Sequence, residues 1–107
     1  SFELNPSNDK YYFQYGLSLY RNQKFNEAIV ALNIAKQNET YKSESNYYIG
    51  LSQYYLKEYE QALSVFADIK SIKDEKLSPL ASFYSGLVYY DQQEYEKSKA
   101  EFEVVLD

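Results

Sequence analysis

The chain contains no cysteine, histidine, methionine or tryptophan. Without cysteine it can form neither a disulfide nor a thiol nucleophile, and without histidine it lacks the commonest general base and a frequent metal ligand. Three glycines and two prolines are too few for a 107-residue protein built from many β-turns. These absences predict no catalytic residue, no metal site and no cofactor, and they favour an all-α, non-enzymatic protein.

Positive charge is also scarce. Eleven Lys and Arg residues against sixteen Asp and Glu residues give a net charge of −5, and Arg21 is the single arginine. A duplex-binding surface needs clustered basic side chains, so we expect no nucleic-acid partner. No stretch approaches the roughly 18 apolar residues of a membrane-spanning helix, so we expect no membrane insertion. The compartment, cytoplasmic or periplasmic, stays open because a signal or anchor could precede Ser1.

What the chain does have is a threefold internal repeat. Each of its three glycines is followed by Leu and, three residues later, by Tyr; nine residues after the glycine comes an aromatic residue and three further on a small one. Self-similarity at about 34 residues is typical of helical repeat arrays. The repeated positions are Gly16, Gly50 and Gly86, then Phe25, Tyr59 and Tyr95, then Ala28, Ala62 and Ser98.

Apolar residues recur at helical spacing in both halves of each repeat, as Phe13, Leu17 and Tyr20 show for the first half. We predict six helices, at about 9–21, 25–37, 43–56, 59–70, 79–91 and 95–106. Asn8 or Asp9 is the expected cap of the first helix, and Ser78-Pro79 the expected start of the fifth. The segment 71–78 carries the two extra residues of the longer second repeat.

These spacings resemble the tetratricopeptide repeat, whose consensus has Gly, Ala and aromatic residues at the same places. The resemblance implies one domain, a right-handed α-solenoid of three helix–turn–helix repeats at 9–42, 43–78 and 79–107, the last of them truncated. Residues 1–8 resemble the end of a preceding repeat, with Pro6 at the family's proline position, or form an N-terminal extension.

Several positions depart from the family pattern. Gln23, Lys57 and Gln93 stand where the helix–helix turn usually has Gly, and each would cost about 1 kcal/mol if its backbone is left-handed. Asn46 and Ser82 replace an aromatic residue. Lys99 occupies the place of Ile29 and Leu63 in the earlier repeats. The third repeat therefore matches least well.

The glycines and the small residues twelve positions later are expected to be structural. They match the place where the two helices of a repeat press together, and a Cβ there would force them apart at a typical cost of about 1–3 kcal/mol. Phe25, Tyr59 and Tyr95 are expected to act as wedges between adjacent repeats.

By the same resemblance, the first helix of each repeat lines a groove that binds a peptide or helical segment of a partner protein, whose identity the sequence leaves unknown. The alternative is that these side chains only fill the space between helices, most of all the leucines. The groove candidates are Phe13, Leu17, Tyr20, Tyr47, Leu51, Tyr54, Phe83, Leu87 and Tyr90.

Tetratricopeptide domains that grip a C-terminal carboxylate place Lys, Asn and Arg at these groove positions, where this chain has apolar residues. We therefore expect no binding of such tails by that mechanism. The alternative function is structural: the array stacks end to end with flanking repeats, or self-associates through exposed solenoid ends.

Overall fold

The computed structural model describes residues 8–106, which form six α-helices and no strand. Helices that are consecutive in the chain pack against each other, and the first helices of the three repeats also pack side by side. The described part of the chain is elongated, at 48 × 25 × 18 Å. The prediction of an all-α array of helical repeats is confirmed. The helices are α1 (Asp9–Arg21), α2 (Phe25–Ala35), α3 (Glu39–Tyr55), α4 (Tyr59–Ile72), α5 (Leu77–Asp91) and α6 (Tyr95–Leu106).

The prediction for residues 1–8 lies outside the described residues, apart from Asn8. Asn8 takes the N-cap position of α1, which begins at Asp9 as predicted. Three helix ends differ slightly from the prediction, since α2 ends at Ala35, α3 at Tyr55 and α4 at Ile72.

Helix α3 begins four residues earlier than predicted, at Glu39. The reason is a cap that the pattern did not reveal: the side-chain oxygen of Asn38 accepts a hydrogen bond from the backbone N–H of Thr40 at 2.9 Å. The Asn38 amide group also donates to the Asp9 carboxylate at 3.2 Å, so this cap ties the start of α3 to the start of α1.

The predicted start of the fifth helix at Ser78-Pro79 is wrong, because α5 begins at Leu77. The Asp74 carboxylate accepts hydrogen bonds from the backbone N–H groups of Leu77 and Lys76, both at 2.8 Å. These bonds hold the pKa of the Asp74 carboxyl below its ordinary value. Pro79 therefore lies within the first turn, where its missing N–H still removes no intrahelical bond.

The turns inside the repeats adopt the left-handed conformation that the family glycine would favour. Gln23, Lys57 and Gln93 all have φ of 63°. The backbone N–H of the following residue donates back to the preceding helix, as Lys24 does to the Leu19 carbonyl at 2.8 Å. The same tight turn is thus built three times on a non-glycine residue that carries local strain.

The glycines lie where the two helices of each repeat come closest. A Cβ added to Gly50 would lie 2.7 Å from Cε1 of Phe66, and one added to Gly86 would lie 2.6 Å from Cε1 of Phe102. At Gly16 the corresponding neighbour is Leu32, at 2.7 Å. We call each of these a glycine notch: a glycine on the first helix filled by a large side chain sixteen residues later.

The small residues lie beside these notches. Ala28 and Ala62 are completely buried. Ser98 takes their place in the third repeat, and its hydroxyl donates a hydrogen bond to the carbonyl of Gly86 at 2.8 Å. In the third repeat this hydrogen bond joins the glycine and the small residue directly, and in the first two repeats both residues are buried.

Candidate functional site

The nine candidate groove residues lie on α1, α3 and α5, the helices that pack side by side. They differ strongly in exposure. Tyr47 and Leu51, in the central helix, are buried. We call the other seven the groove surface; Phe83 and Tyr90 are its exposed members, and its half-buried members are Phe13, Leu17, Tyr20, Tyr54 and Leu87.

The middle of the expected groove is filled by aromatic rings. The ring of Tyr47 meets the rings of Tyr48 and Tyr84 edge-on, with centroids 5.1 Å and 6.2 Å apart. Tyr47 and Leu51 both belong to the core between repeats two and three. The side chains of Tyr47 and Leu51 therefore fill the space between helices, which is the alternative to a groove that the sequence left open.

Three tyrosines that sequence reasoning did not select organise this region: Tyr48, Tyr55 and Tyr84. Tyr84 packs near-parallel to Phe66 at 6.2 Å and edge-on to Tyr54 at 6.1 Å, so it joins α5 to both helices of the preceding repeat. A signal was present, since each follows another aromatic residue. Neighbours on a helix point about 100° apart, so the two rings of a doublet face different neighbours: Tyr47 packs on Tyr84 of the next repeat, whereas Tyr48 packs on Tyr20 of the preceding one.

At the boundary of repeats one and two, three aromatic rings meet. Phe25 stacks on Tyr55 with centroids 5.2 Å apart and an interplanar angle of 18°, and Tyr20 lies edge-on to Phe25 at 5.8 Å. With Arg21 and Gln23, these rings line an open cavity of about 400 Å³. We call it the Arg21 cavity.

The corresponding place at the boundary of repeats two and three has different chemistry. Tyr54 and Tyr59 occupy the positions of Tyr20 and Phe25, and Asp91 occupies that of Tyr55. The Tyr59 hydroxyl donates a hydrogen bond to the Asp91 carboxylate at 3.2 Å. A carboxylate therefore stands here against the aromatic pair.

Burial raises the pKa of several of these tyrosines. The pKa of Tyr54 rises to about 12, first because its hydroxyl is desolvated and second because the negative charge of Asp91 is close. The pKa of Tyr20 and that of Tyr47 are raised as well, again chiefly by burial and then by neighbouring tyrosines. These hydroxyls consequently remain neutral hydrogen-bond donors through neutral and mildly alkaline pH.

In the third repeat the equivalent aromatic pair is uncovered. Tyr90 and Tyr95 lie edge-on at 5.4 Å, with 57% and 56% of their surfaces exposed. No described helix follows α6 to supply a residue in the place of Tyr55 or Asp91.

A second open cavity, of about 420 Å³, lies between α4, α5 and α6. Lys97 lines it, paired with Glu94 at 3.1 Å and with its ammonium group 5.7 Å from the Tyr89 ring centroid. Among residues 8–106 there is no cluster of three or more His, Cys, Asp or Glu side chains placed to hold a metal ion. Within the same range no helix is long and apolar enough to cross a membrane.

Comparison with known proteins gave one family match. A family model described as "Anaphase-promoting complex, cyclosome, subunit 3" matches residues 1–69 of the 107-residue chain. No curated protein and no solved structure matches it. The matched segment ends within α4, so it includes the first two glycine notches and the Arg21 cavity.

Proposed function

Because the chain belongs to the anaphase-promoting complex, cyclosome, subunit 3 family, whose members carry tetratricopeptide-like repeats, we propose that it is a non-enzymatic scaffold that binds a peptide or helical segment of a partner protein through the groove surface. Repeat families of this kind are generally protein-interaction modules. The family description names a subunit of a complex, which supports a role in contact with other proteins.

The observation that carries the proposal is the accessibility of large apolar side chains on one surface. Phe83 and Tyr90 are exposed on α5, and Leu87 between them is half-buried. Contiguous apolar surface on a water-soluble domain is typical of an interaction site. Tyrosine suits such a site because its ring supplies contact area and its hydroxyl a hydrogen bond.

The test uses the two exposed rings and a matched control. Tyr20 and Tyr54 pack between repeats, so their replacement would change the fold together with the surface. Phe83 and Tyr90 make their ring contacts only inside the third repeat, with Tyr84, Phe102 and Tyr95. Phe83→Ala combined with Tyr90→Ala should therefore keep the helical array and weaken partner binding at least tenfold. Tyr11→Ala removes a ring on α1 that lies outside the groove surface and is about as exposed as Tyr90, and it should leave binding intact.

Partners are first captured with the parent chain and identified by mass spectrometry, and each purified partner is then titrated by calorimetry against all three proteins. Equal affinity of the parent and the Phe83, Tyr90 double variant would contradict the groove proposal. Selective loss in the Tyr11 variant would place the binding surface elsewhere.

We also propose, as a second function, that the repeats stack end to end with copies of the chain or with other repeats. The end surfaces support this. Tyr15 on α1 is 53% exposed, whereas Ile49 and Ser85 at the same repeat position are buried. On α6, Val105 is exposed, whereas Ala35 and Ile69 at its position are buried.

Light scattering over a range of concentrations separates the two functions. Self-stacking predicts a mass that increases with concentration and becomes constant in a Tyr15→Lys variant. A constant monomer mass for the parent chain would contradict self-stacking and would leave groove binding unaffected.

A further inference from the structure

We infer that the Arg21 cavity is a subsite for an acidic–aromatic pair in the partner, in which a carboxylate side chain meets Arg21 and the adjacent large apolar side chain packs in the cavity against the wall of rings. The inference rests on the proposed groove function, because the cavity opens beside Tyr20 of the groove surface and assigns ligand chemistry to that end.

The cavity has an apolar wall and a polar rim. Tyr20, Phe25 and Tyr55 hold one another in place by the ring contacts described above, so the wall is formed before any ligand binds. Its volume of about 400 Å³ is enough for one large side chain. A preformed pocket of this kind binds with little ordering cost.

Arg21 supplies the charge. It is exposed at the end of α1, and none of the ion pairs among residues 8–106 involves it. Its planar guanidinium group presents donors in a fork that matches both oxygens of a carboxylate. An arginine without an acidic partner, beside an aromatic wall, is therefore available for an anionic ligand.

The charges along the edge formed by the three turns also favour an acidic ligand. They favour one orientation of the partner segment along the array. The first turn, residues 21–26, carries Arg21 and Lys24, whereas the third, residues 91–96, carries Asp91, Glu94 and Glu96, of which Glu94 is paired with Lys97. A partner carboxylate is attracted to the first turn and repelled by the third.

At the boundary of repeats two and three a carboxylate lies against the equivalent aromatic pair and is held by a tyrosine hydroxyl, for which Phe25 of the Arg21 cavity has no counterpart. There the chain itself supplies Asp91, which accepts a hydrogen bond from Tyr59. The position of Arg21 is taken by Tyr55 in that repeat, so no guanidinium is present. The Arg21 cavity offers the opposite charge at a related place, and the second boundary serves as an internal control.

The test is an NMR titration of the ¹⁵N-labelled chain with two dipeptides of equal size. Acetyl-glutamyl-phenylalanine amide carries the carboxylate, and acetyl-glutaminyl-phenylalanine amide lacks only the charge. The acidic dipeptide should shift the amide signals of residues 21–25 and 55 and bind about tenfold more tightly than the neutral one, since a hydrogen bond to a charged group is about twice as strong as a neutral one.

Arg21→Gln should make the two affinities equal, and Arg21→Lys should retain part of the difference because a lysine keeps the charge without the fork. Lys10→Gln, which removes another exposed cation of α1, should keep the full difference and is the matched control. The preference should also shrink as salt concentration rises.

Equal binding of both dipeptides to the parent chain, absence of binding, or shifts centred on Tyr90 and Tyr95 would each overturn the inference. These outcomes are distinct from failure of the groove function, which is judged by partner binding to the Phe83, Tyr90 double variant. A dipeptide that prefers the Arg21 cavity, together with unchanged partner binding in that variant, would support the subsite and contradict the groove.

Discussion

Phe66 in α4 and Phe102 in α6 occupy the same position in successive repeats, and each fills a glycine notch at almost the same distance. Their surroundings differ. Phe66 is completely buried because Tyr84 of the next repeat stacks on it, whereas Phe102 is only half-buried. Contacts inside a repeat are thus reproduced from one repeat to the next, while burial of the second helix depends on the repeat that follows.

The wedge residues show the same difference. Tyr59 is half-buried and hydrogen-bonded to Asp91 of the next repeat, whereas Tyr95 at the equivalent position is 56% exposed. The first helix of a following repeat therefore does two things, since it covers the notch residue and it completes the aromatic pair at the turn. This is the nearest-neighbour behaviour expected of a repeat array.

The largest expected effect is the difference in stability loss between alanine variants of Phe66 and Phe102. Phe66→Ala should lower the free energy of unfolding by about 4 kcal/mol, because it leaves a cavity enclosed on all sides. Phe102→Ala should cost about 2 kcal/mol, since the open side of α6 is already in contact with water. Urea unfolding followed by circular dichroism measures both, and equal losses would mean that α5 contributes nothing to the burial of Phe66.

The glycine notches give the next comparison. Gly50→Leu should cost about 3 kcal/mol because Phe66, which the new side chain would meet, is packed on every side. Gly86→Leu should cost about 1 kcal/mol because Phe102 has room to move outward. A thermal midpoint for Gly50→Leu within a degree or two of the parent would show that α3 and α4 are not close at this point.

A smaller effect concerns the left-handed turn residue that the repeats have in common. Lys57→Gly and Gln93→Gly should each stabilise the chain by about 1 kcal/mol, because both remove the strain of a left-handed non-glycine residue. The gains should be equal, since the strain lies inside the turn and does not depend on a neighbouring repeat. Lys24→Gly, at a residue with φ of −96°, is the control and should give no gain.

The smallest effect concerns the second boundary at alkaline pH. The pKa of Tyr54 is raised to about 12 in the folded chain from an ordinary 10.0. The unfolded chain therefore loses this proton first, so the stabilisation is complete below pH 10 and is lost as the pH rises from 10 to 12. Tyr54→Phe should make the decline in stability above pH 10 shallower, as measured by urea unfolding at pH 9 and pH 11. If stability declines equally in the variant and the parent chain, the titration of Tyr54 does not cause this loss.

The helices and their pairing could be predicted from the sequence because they depend on local information. The apolar period defines each helix, and the glycine with the small residue twelve positions later defines where two helices touch. The start of α5 could not be predicted in the same way. The Ser78-Pro79 signal was locally valid, yet the Asp74 carboxylate accepts two backbone N–H groups and so begins the helix earlier.

The exposure of the candidate groove residues could be predicted only in part. Tyr47 and Phe83 hold the same repeat position, but Tyr47 is covered by Tyr84 from the next repeat, whereas the described rings that contact Phe83 all belong to its own repeat and leave it exposed. The periodicity of one helix does not reveal what the adjacent repeat contributes. Position in the array, and not residue type, decides which of these rings are exposed.

Native-state hydrogen exchange tests this dependence on the neighbouring repeat most directly. Helices α4 and α6 are the second helices of successive repeats and differ in whether a described helix covers them. We expect amides in the middle of α4 to exchange only through global unfolding, and those of α6 to exchange through a local opening of clearly lower free energy. Equal opening free energies in α4 and α6 would contradict the account.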